Sequence, residues 1–202
     1  DSIHKWLKET TVEDALKMSV PMLTDTYFDR QYKEWAWTFF NRQTALKPSG
    51  TVFNYNTSGT FILDVLVEKI TGKPFLEVLR PVFDKIGISE NIWCVKSPDG
   101  FSWGGSGVVC TMRDFAKFAE FVMNKGNVNG EQLISREYMD KAVSPLICTL
   151  TENNYSPMKT CGYGYQVWVT EDGYSLRGMG SQYAFCFPDI YEIGMSHLGI
   201  QI

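Results

Sequence analysis

Histidine is nearly missing from this 202-residue chain, which has only His4 and His197, close to opposite ends. A zinc site built on imidazole would have to recruit scattered acids or thiols without recognisable ligand spacing, so no metal or other cofactor is expected. A Ser-His-Asp triad is excluded on similar grounds, because neither histidine stands beside a well-placed serine, and His197 reads as an ordinary strand residue. The strained G-x-S-x-G elbow is absent too: Gly104-Gly105-Ser106-Gly107-Val108 and Gly180-Ser181-Gln182-Tyr183 both break the pattern. Basic residues are outnumbered, 19 against 23 acidic, for a net charge of −4. No basic stripe offers itself to a phosphate backbone, which excludes nucleic acid as a partner. No apolar run reaches the roughly 18 residues of a membrane span. The first residues, DSIHKWLKETT, also lack the apolar stretch of a secretory signal. These absences lean slightly toward a cytoplasmic home and leave an extracytoplasmic one open if a signal was removed. The oligomeric state is not legible.

Cysteine is sparse and unpatterned. Cys94, Cys110, Cys148, Cys161 and Cys186 are odd in number and widely spaced, with no C-x-x-C pair. That arrangement fits reduced, partly buried thiols better than a disulfide framework.

Apolar material is plentiful, at 44 % hydrophobic and 14 % aromatic, enough for one soluble globular domain with a sizeable core. Thr11-Val12-Glu13-Asp14 has capping-box form, a hydroxyl three residues before an acid, and apolar Ala15, Leu16 and Met18 follow. The aromatic-rich stretch 21–41 predicts irregular helix packed under a loop. Pro48-Ser49-Gly50 is a turn, residues 52–55 are extended, and Thr57 or Ser58 is expected to cap a helix with Phe61, Ile62, Val65, Leu66 and Ile70 on its apolar face, stopped at Gly72. Pro74 opens the next helix, striped by Phe75, Leu79, Val82, Phe83 and Ile86. A second capping box, Thr111 with Asp114, starts a helix whose stripe is Phe115, Phe118, Ala119, Val122 and Met123. From Gly162 the period changes to two, predicting a strand through Val169, a turn at 171–173, and strands at 174–177, 182–187 and 193–202. The expectation is therefore an α+β domain, with a mainly helical lobe over residues 1–158 and an antiparallel-sheet portion over 159–202.

An S-x-x-K pair puts a serine at a helix start with a lysine one turn later on the same face, where the lysine can help activate the hydroxyl. Two pairs fit. Ser2 with Lys5 sits at a fraying terminus, and Ser156 with Lys159 runs into a strand before a helix could grow. Neither is a good seat for a nucleophile. Tyr55 has better context, on an extended segment directly before a helix, where the alternative role is a buried aromatic with a satisfied hydroxyl. Asn56-Thr57-Ser58 also forms a glycosylation sequon, which its position beside Tyr55 disfavours.

The segment Pro48-Ser49-Gly50-Thr51-Val52-Phe53-Asn54-Tyr55-Asn56-Thr57 resembles the P-G-x-x-F-x-Y-x-N box of class C serine β-lactamases and their esterase and D-peptidase relatives, a group akin to penicillin-binding proteins. Further segments resemble that family in its order. They are residues 11–19, the glycine turn Trp103-Gly104-Gly105-Ser106-Gly107 running into the Thr111 helix, residues 129–135, the strand Gly162-Tyr163-Gly164-Tyr165-Gln166-Val167-Trp168, and the late Gly178-Met179-Gly180-Ser181-Gln182-Tyr183. The resemblance implies the transpeptidase-like α+β fold and a serine hydrolase working through an acyl-enzyme on a small ester, amide or peptide. It implies Tyr55 as the catalytic proton carrier, Thr57 as substrate-binding, and Gly180, Ser181 and Gln182 as the wall that supplies an oxyanion amide.

The same resemblance marks departures. Thr57 replaces the box's asparagine, no K-T-G or H-x-G precedes Gly178, and the family's S-x-x-K helix, expected well upstream of Thr11, is not found. A phenol ordinarily near pKa 10 needs about 4 kcal/mol to drop by about 3 units, which an adjacent lysine must supply. The sequence therefore predicts a family fold whose nucleophile segment is absent from these residues and which is inactive as it stands. The alternative is a non-catalytic binding or scaffold protein that keeps the pocket.

Overall fold

The computed structural model of the chain describes residues 3–23, 28–149 and 160–196. The chain divides into two compact units, Asp1–Pro81 with Ile92–Val109, and Val82–Asn91 with Cys110–Ile202. Helix α5 (Phe75–Lys85) carries the chain from the first into the second.

The first unit is helical: α1 (Lys5–Lys8), α2 (Val12–Leu16), a 3-10 turn (Phe28–Gln31), α3 (Trp35–Asn41) and α4 (Thr57–Thr71), with a short antiparallel pair, β1 (Trp93–Cys94) and β2 (Val108–Val109). Both α2 and α3 pack on α4. Leu7, Ala15, Val20, Met22 and Phe39 are buried together, with Ile62 and Leu63 against them. The Thr11 capping box forms as the sequence requires, each of Thr11 and Asp14 binding the other's backbone N–H.

In the second unit α6 (Met112–Met123) starts at the Thr111 box, and its expected stripe is the one that packs: Ala119, Val122 and Met123 are buried, with Phe115 and Phe118 beside them. After the β3 (Asn127–Val128) and β4 (Glu131–Gln132) hairpin and α7 (Arg136–Ala142) comes a five-stranded antiparallel sheet in sequence order. Its strands are β5 (Thr160–Tyr163), β6 (Trp168–Thr170), β7 (Tyr174–Arg177), β8 (Tyr183–Phe187) and β9 (Glu192–Ser196), with α6 packed on β8 and β9. This is the expected combination of helices and a C-terminal antiparallel sheet.

Several local expectations change. Asn56 caps α4 in place of Thr57 or Ser58, its Oδ1 accepting the Gly59 N–H at 3.1 Å, while Thr57 is the first helical residue. The buried face of α4 is Thr57, Ser58, Phe61 and Asp64, and Ile70 stands 75 % exposed, so the stripe through Leu66 and Ile70 faces outward. The alternation from 162 to 169 is two strands, because the chain reverses at 164–167: the Gly164 N–H donates to the Val167 carbonyl, and Gln166 takes φ +60°. Gly164 lies so close to α7 that a Cβ there would sit 2.0 Å from the Ala142 carbonyl oxygen. Ser2, the Ser156 and Lys159 pair, His197 and the 197–202 end of the last predicted strand fall outside the described residues.

That close approach gives a stability test. Gly164→Ala should lower stability by about 2–3 kcal/mol through overpacking against fixed backbone. Gly130→Ala, where φ is +88° but nothing lies within 4 Å, should cost only the left-handed penalty of about 1 kcal/mol. Equal urea midpoints for the two variants would contradict this reading.

Candidate active site

The Tyr55 segment is held by α2 and the strand-like stretch after it. Asp14, already occupied with Thr11, also accepts from the Ser49 hydroxyl at 3.1 Å. Gly50, at φ +77°, leaves no room for a Cβ, which would lie 2.6 Å from Asp14 Oδ1. Backbone bonds continue the attachment, from Gly50 N–H to Ser19 and from Asn54 N–H to Met18, both at 2.8 Å. Phe53 is buried as an anchor, and Lys47 donates its ammonium to the Val52 carbonyl. Tyr55, half-buried, follows at the end of this pinned extension and directly before α4. Asn56 is wholly buried as the helix cap, a place where the folded chain leaves no room for a glycan. Its Nδ2 has no hydrogen-bond partner among the described residues.

Thr57, buried at the first turn of α4, lies under the glycine turn of residues 103–107. A Cβ on Gly105 would come within 2.9 Å of the Thr60 methyl and 3.6 Å of the Thr57 methyl. Asp64 fastens the turn one level down, accepting the Gly105 N–H at 3.2 Å, with the Gly104 N–H also directed at it. Burial pushes the Asp64 carboxyl up to about 7; the two glycine N–H groups offset part of the rise, and Glu68 adds to it. Glu68, one turn on, accepts from the Phe75 and Ser102 N–H groups and lies 3.8 Å from Lys96. Burial raises its pKa, but the hydrogen bonds and Lys96 outweigh this and hold it below the ordinary range. Beside the turn, Trp35 meets Phe61 and Trp103 edge-on at 5.7 and 5.2 Å, and the Arg30 guanidinium covers Trp103 at 5.5 Å.

In the second unit Gly180, Ser181 and Gln182 form one tight turn between β7 and β8. The Gly178 N–H donates to the Gln182 carbonyl at 2.8 Å, the Ser181 N–H to the Gly178 carbonyl at 3.1 Å, and Ser181 takes φ +62°. The Gln182 carboxamide folds over the turn, so that a Cβ on Gly180 would meet its Nε2 at 2.5 Å. Neither the Gly180 nor the Gln182 backbone N–H donates to another described residue. Leu176 and Arg177 precede Gly178. Arg177 stacks on Trp168 at 5.0 Å and donates from Nε to Ser175 at 2.7 Å, while one terminal nitrogen is buried without a partner among the described residues. Burial lowers its pKa, partly countered by Tyr183 and Tyr163.

The structure thus seats Tyr55 and Thr57 at one helix start and gathers Gly180, Ser181 and Gln182 into one turn. Sequence reasoning missed Asp64 and Arg177. A signal for Asp64 existed, since it falls three residues after Phe61 and seven after Thr57, on the same helical face. The described residues contain no group of three or more His, Cys, Asp or Glu able to hold a metal ion.

A family model described as Beta-lactamase matches residues 1–200. A 6-aminohexanoate-dimer hydrolase of Paenarthrobacter ureafaciens is 25 % identical over 93 residues, which are 46 % of this chain and 24 % of the hydrolase. Among solved structures, a candidate 6-aminohexanoate-dimer hydrolase from Bacillus anthracis superposes with a TM-score of 0.69 at 22 % identity, over 91 % of this chain and 54 % of that one. A penicillin-binding protein from Bacillus halodurans gives 0.66 at 18 % identity, over 98 % of this chain and 71 % of that one. The chain thus spans about half the length of the first of these structures.

Asp64 makes stability depend on pH. Its carboxyl titrates near 7 when folded, against an ordinary 3.8, so the folded state holds the extra proton between those values. The contribution of Asp64 to stability should be greatest below about pH 4, fall as pH rises through about 7, and level off above about 8, with a total loss on the order of 4 kcal/mol. Asp64→Asn keeps an acceptor for one glycine N–H and should flatten the profile across that window. Urea melts at successive pH values that run parallel for the two proteins would refute the assignment.

Proposed function

The chain belongs to the beta-lactamase family, and on that premise we propose that it is part of a serine hydrolase that cleaves a small ester, amide or peptide through an acyl-enzyme. The observation that carries this reading is the seating of Tyr55: a half-buried phenol at the end of an extension pinned by Asp14, Ser19 and Met18, immediately before α4. A proton carrier has to be held at a fixed place, and this attachment holds it. In the proposed mechanism a serine from an S-x-x-K segment outside these residues attacks the substrate carbonyl. Tyr55 takes the serine's proton and passes it to the leaving group. The backbone N–H groups of Gly180 and Gln182, with Ser181 fixing the turn between them, stabilise the oxyanion alongside the serine's own amide. Thr57, under the glycine turn, orders the substrate side of the tyrosine box. No cofactor enters the reaction. A linear amide is favoured as substrate by the name of the Paenarthrobacter relative, a hydrolase of an aminohexanoate dimer. The replacement of the third box by Leu176-Arg177-Gly178 weighs against efficient β-lactam turnover.

The second reading is a binding or scaffold protein that uses the same surface for a peptide without turnover. It is favoured by Asn56, which is committed to capping α4, and by Thr57 standing where the family box has asparagine.

Fluorophosphonate or penicillin probes should leave the 202-residue chain unlabelled and should label a protein extended upstream to include an S-x-x-K helix. In the extended protein, Tyr55→Phe should slow acylation by about two to four orders of magnitude. An unchanged acylation rate would remove Tyr55 from the chemistry. Serine-dependent labelling of the 202-residue chain would place the nucleophile within it.

A further inference from the structure

Two cysteines without sequence pattern become neighbours in the second unit. The stretch 147–149 runs antiparallel to β5, with Ile147 and Tyr163 exchanging both backbone hydrogen bonds, at 2.9 and 3.3 Å. Two residues along, Thr149 and Thr160 are both fully buried, and their hydroxyls touch at 3.1 Å. Between these two contacts lies one residue of the first stretch, Cys148, against two of β5, Cys161 and Gly162, so Cys148 faces both of them as across a bulge. The different offset at Ile147 and Tyr163 is absorbed by the register shift in β5 between Thr160 and Gly162, which contains Cys161. Side chains alternate along a strand, so with both threonines turned inward both cysteines turn outward. Both are in fact exposed.

We propose that Cys148 and Cys161 form a reversible cross-strand disulfide, with a low-molecular-weight disulfide of the glutathione type as the oxidant. Residues directly opposite on antiparallel strands have Cβ atoms about 4.5–5.5 Å apart, near the range a disulfide needs after a small adjustment. The Cys161 sulfur lies 3.6 Å from the Val169 carbonyl of β6, and the proposed bond requires it to leave that contact by a rotation about χ1. In the first step one cysteine thiolate attacks the small disulfide, forming a mixed disulfide and releasing one glutathione thiolate. In the second, the other cysteine thiolate attacks the protein sulfur of that mixed bond, the protein disulfide forms, and the second glutathione leaves. Two protein thiols lose two electrons and two protons, and one glutathione disulfide becomes two thiols. The bond closes a ring of chain that encloses residues 149–160, with Ser156 and Lys159 among them. The remaining cysteines make internal controls. Cys186 is fully buried, and burial pushes the Cys94 and Cys186 thiols up to about 11 and raises Cys110 as well.

The test is oxidation of the reduced, folded chain with oxidised glutathione, followed by trypsin and mass spectrometry without reductant. Cleavage after Lys159 separates the two cysteines, so a linked pair of peptides reports the bond. Expected are that single link, the loss of two of the five thiols, and restoration of both by reductant. Cys148→Ser should leave glutathione on Cys161, and Cys161→Ser should leave it on Cys148, each about tenfold above the adduct level in the unsubstituted chain. Circular dichroism confirms that the variants are folded. Separate adducts on both cysteines of the unsubstituted chain, a link through Cys94, Cys110 or Cys186, or no oxidation at all would each overturn the proposal.

Discussion

A carboxylate removed from water has to be given hydrogen bonds, and three buried helix aspartates meet that requirement by taking N–H or O–H donors from loops. Asp14 accepts from the Ser49 hydroxyl and so holds the turn that leads to Tyr55. Asp64 takes the N–H of Gly105 and holds the glycine turn over Thr57 and Thr60. Asp114 takes the Ser89 N–H at 2.9 Å while completing the Thr111 capping box. In the first and last cases a single acid closes a helix start and fixes a distant segment, so losing either would undo a cap and a loop together.

Asp64 and Asp114 are in opposite electrostatic states. Asp114 is held below the ordinary carboxylate range, the Ser89 N–H being the largest cause, with Thr111 and Lys117 adding to it against burial. Among the described residues Asp64 is faced by the glycine amides and by a like charge at Glu68, and burial wins. The fastening of the glycine turn therefore titrates near neutrality. Glycine is required there for space: a Cβ on Gly104 would stand 2.6 Å from Asp64 Oδ1, so the carboxylate and a side chain could not both occupy the place.

The late turn is built differently. Gly178, Gly180 and a left-handed Ser181 let the chain fold over the Gln182 carboxamide, and Arg177 is clamped between Ser175 and the Trp168 ring. The Gly180 and Gln182 amides, which donate to no other described residue, are the basis of the oxyanion role proposed for this turn. Family membership is the ground of the proposed reaction class, and these local geometries are the ground of the roles proposed for particular residues.

How much was legible follows from the range of each interaction. Both capping boxes, the α6 stripe, the extended tyrosine box and the period-two C-terminal region are short-range patterns, and each appears where the residues put it. The order of motifs also carried the family, because the tyrosine box, glycine turn and late glycine strand keep their sequence whatever packs on them. Tertiary packing decided the rest. It divided the 162–169 alternation into two strands, since Gly164 approaches the Ala142 carbonyl too closely for the chain to run on. It turned Ile70 outward and Asp64 inward, because the face of α4 is chosen by what α2, α3 and the glycine turn present to it. It also brought the stretch 147–149 alongside β5, which no spacing could announce: cross-strand pairing depends on which buried side chains meet, here Thr149 and Thr160.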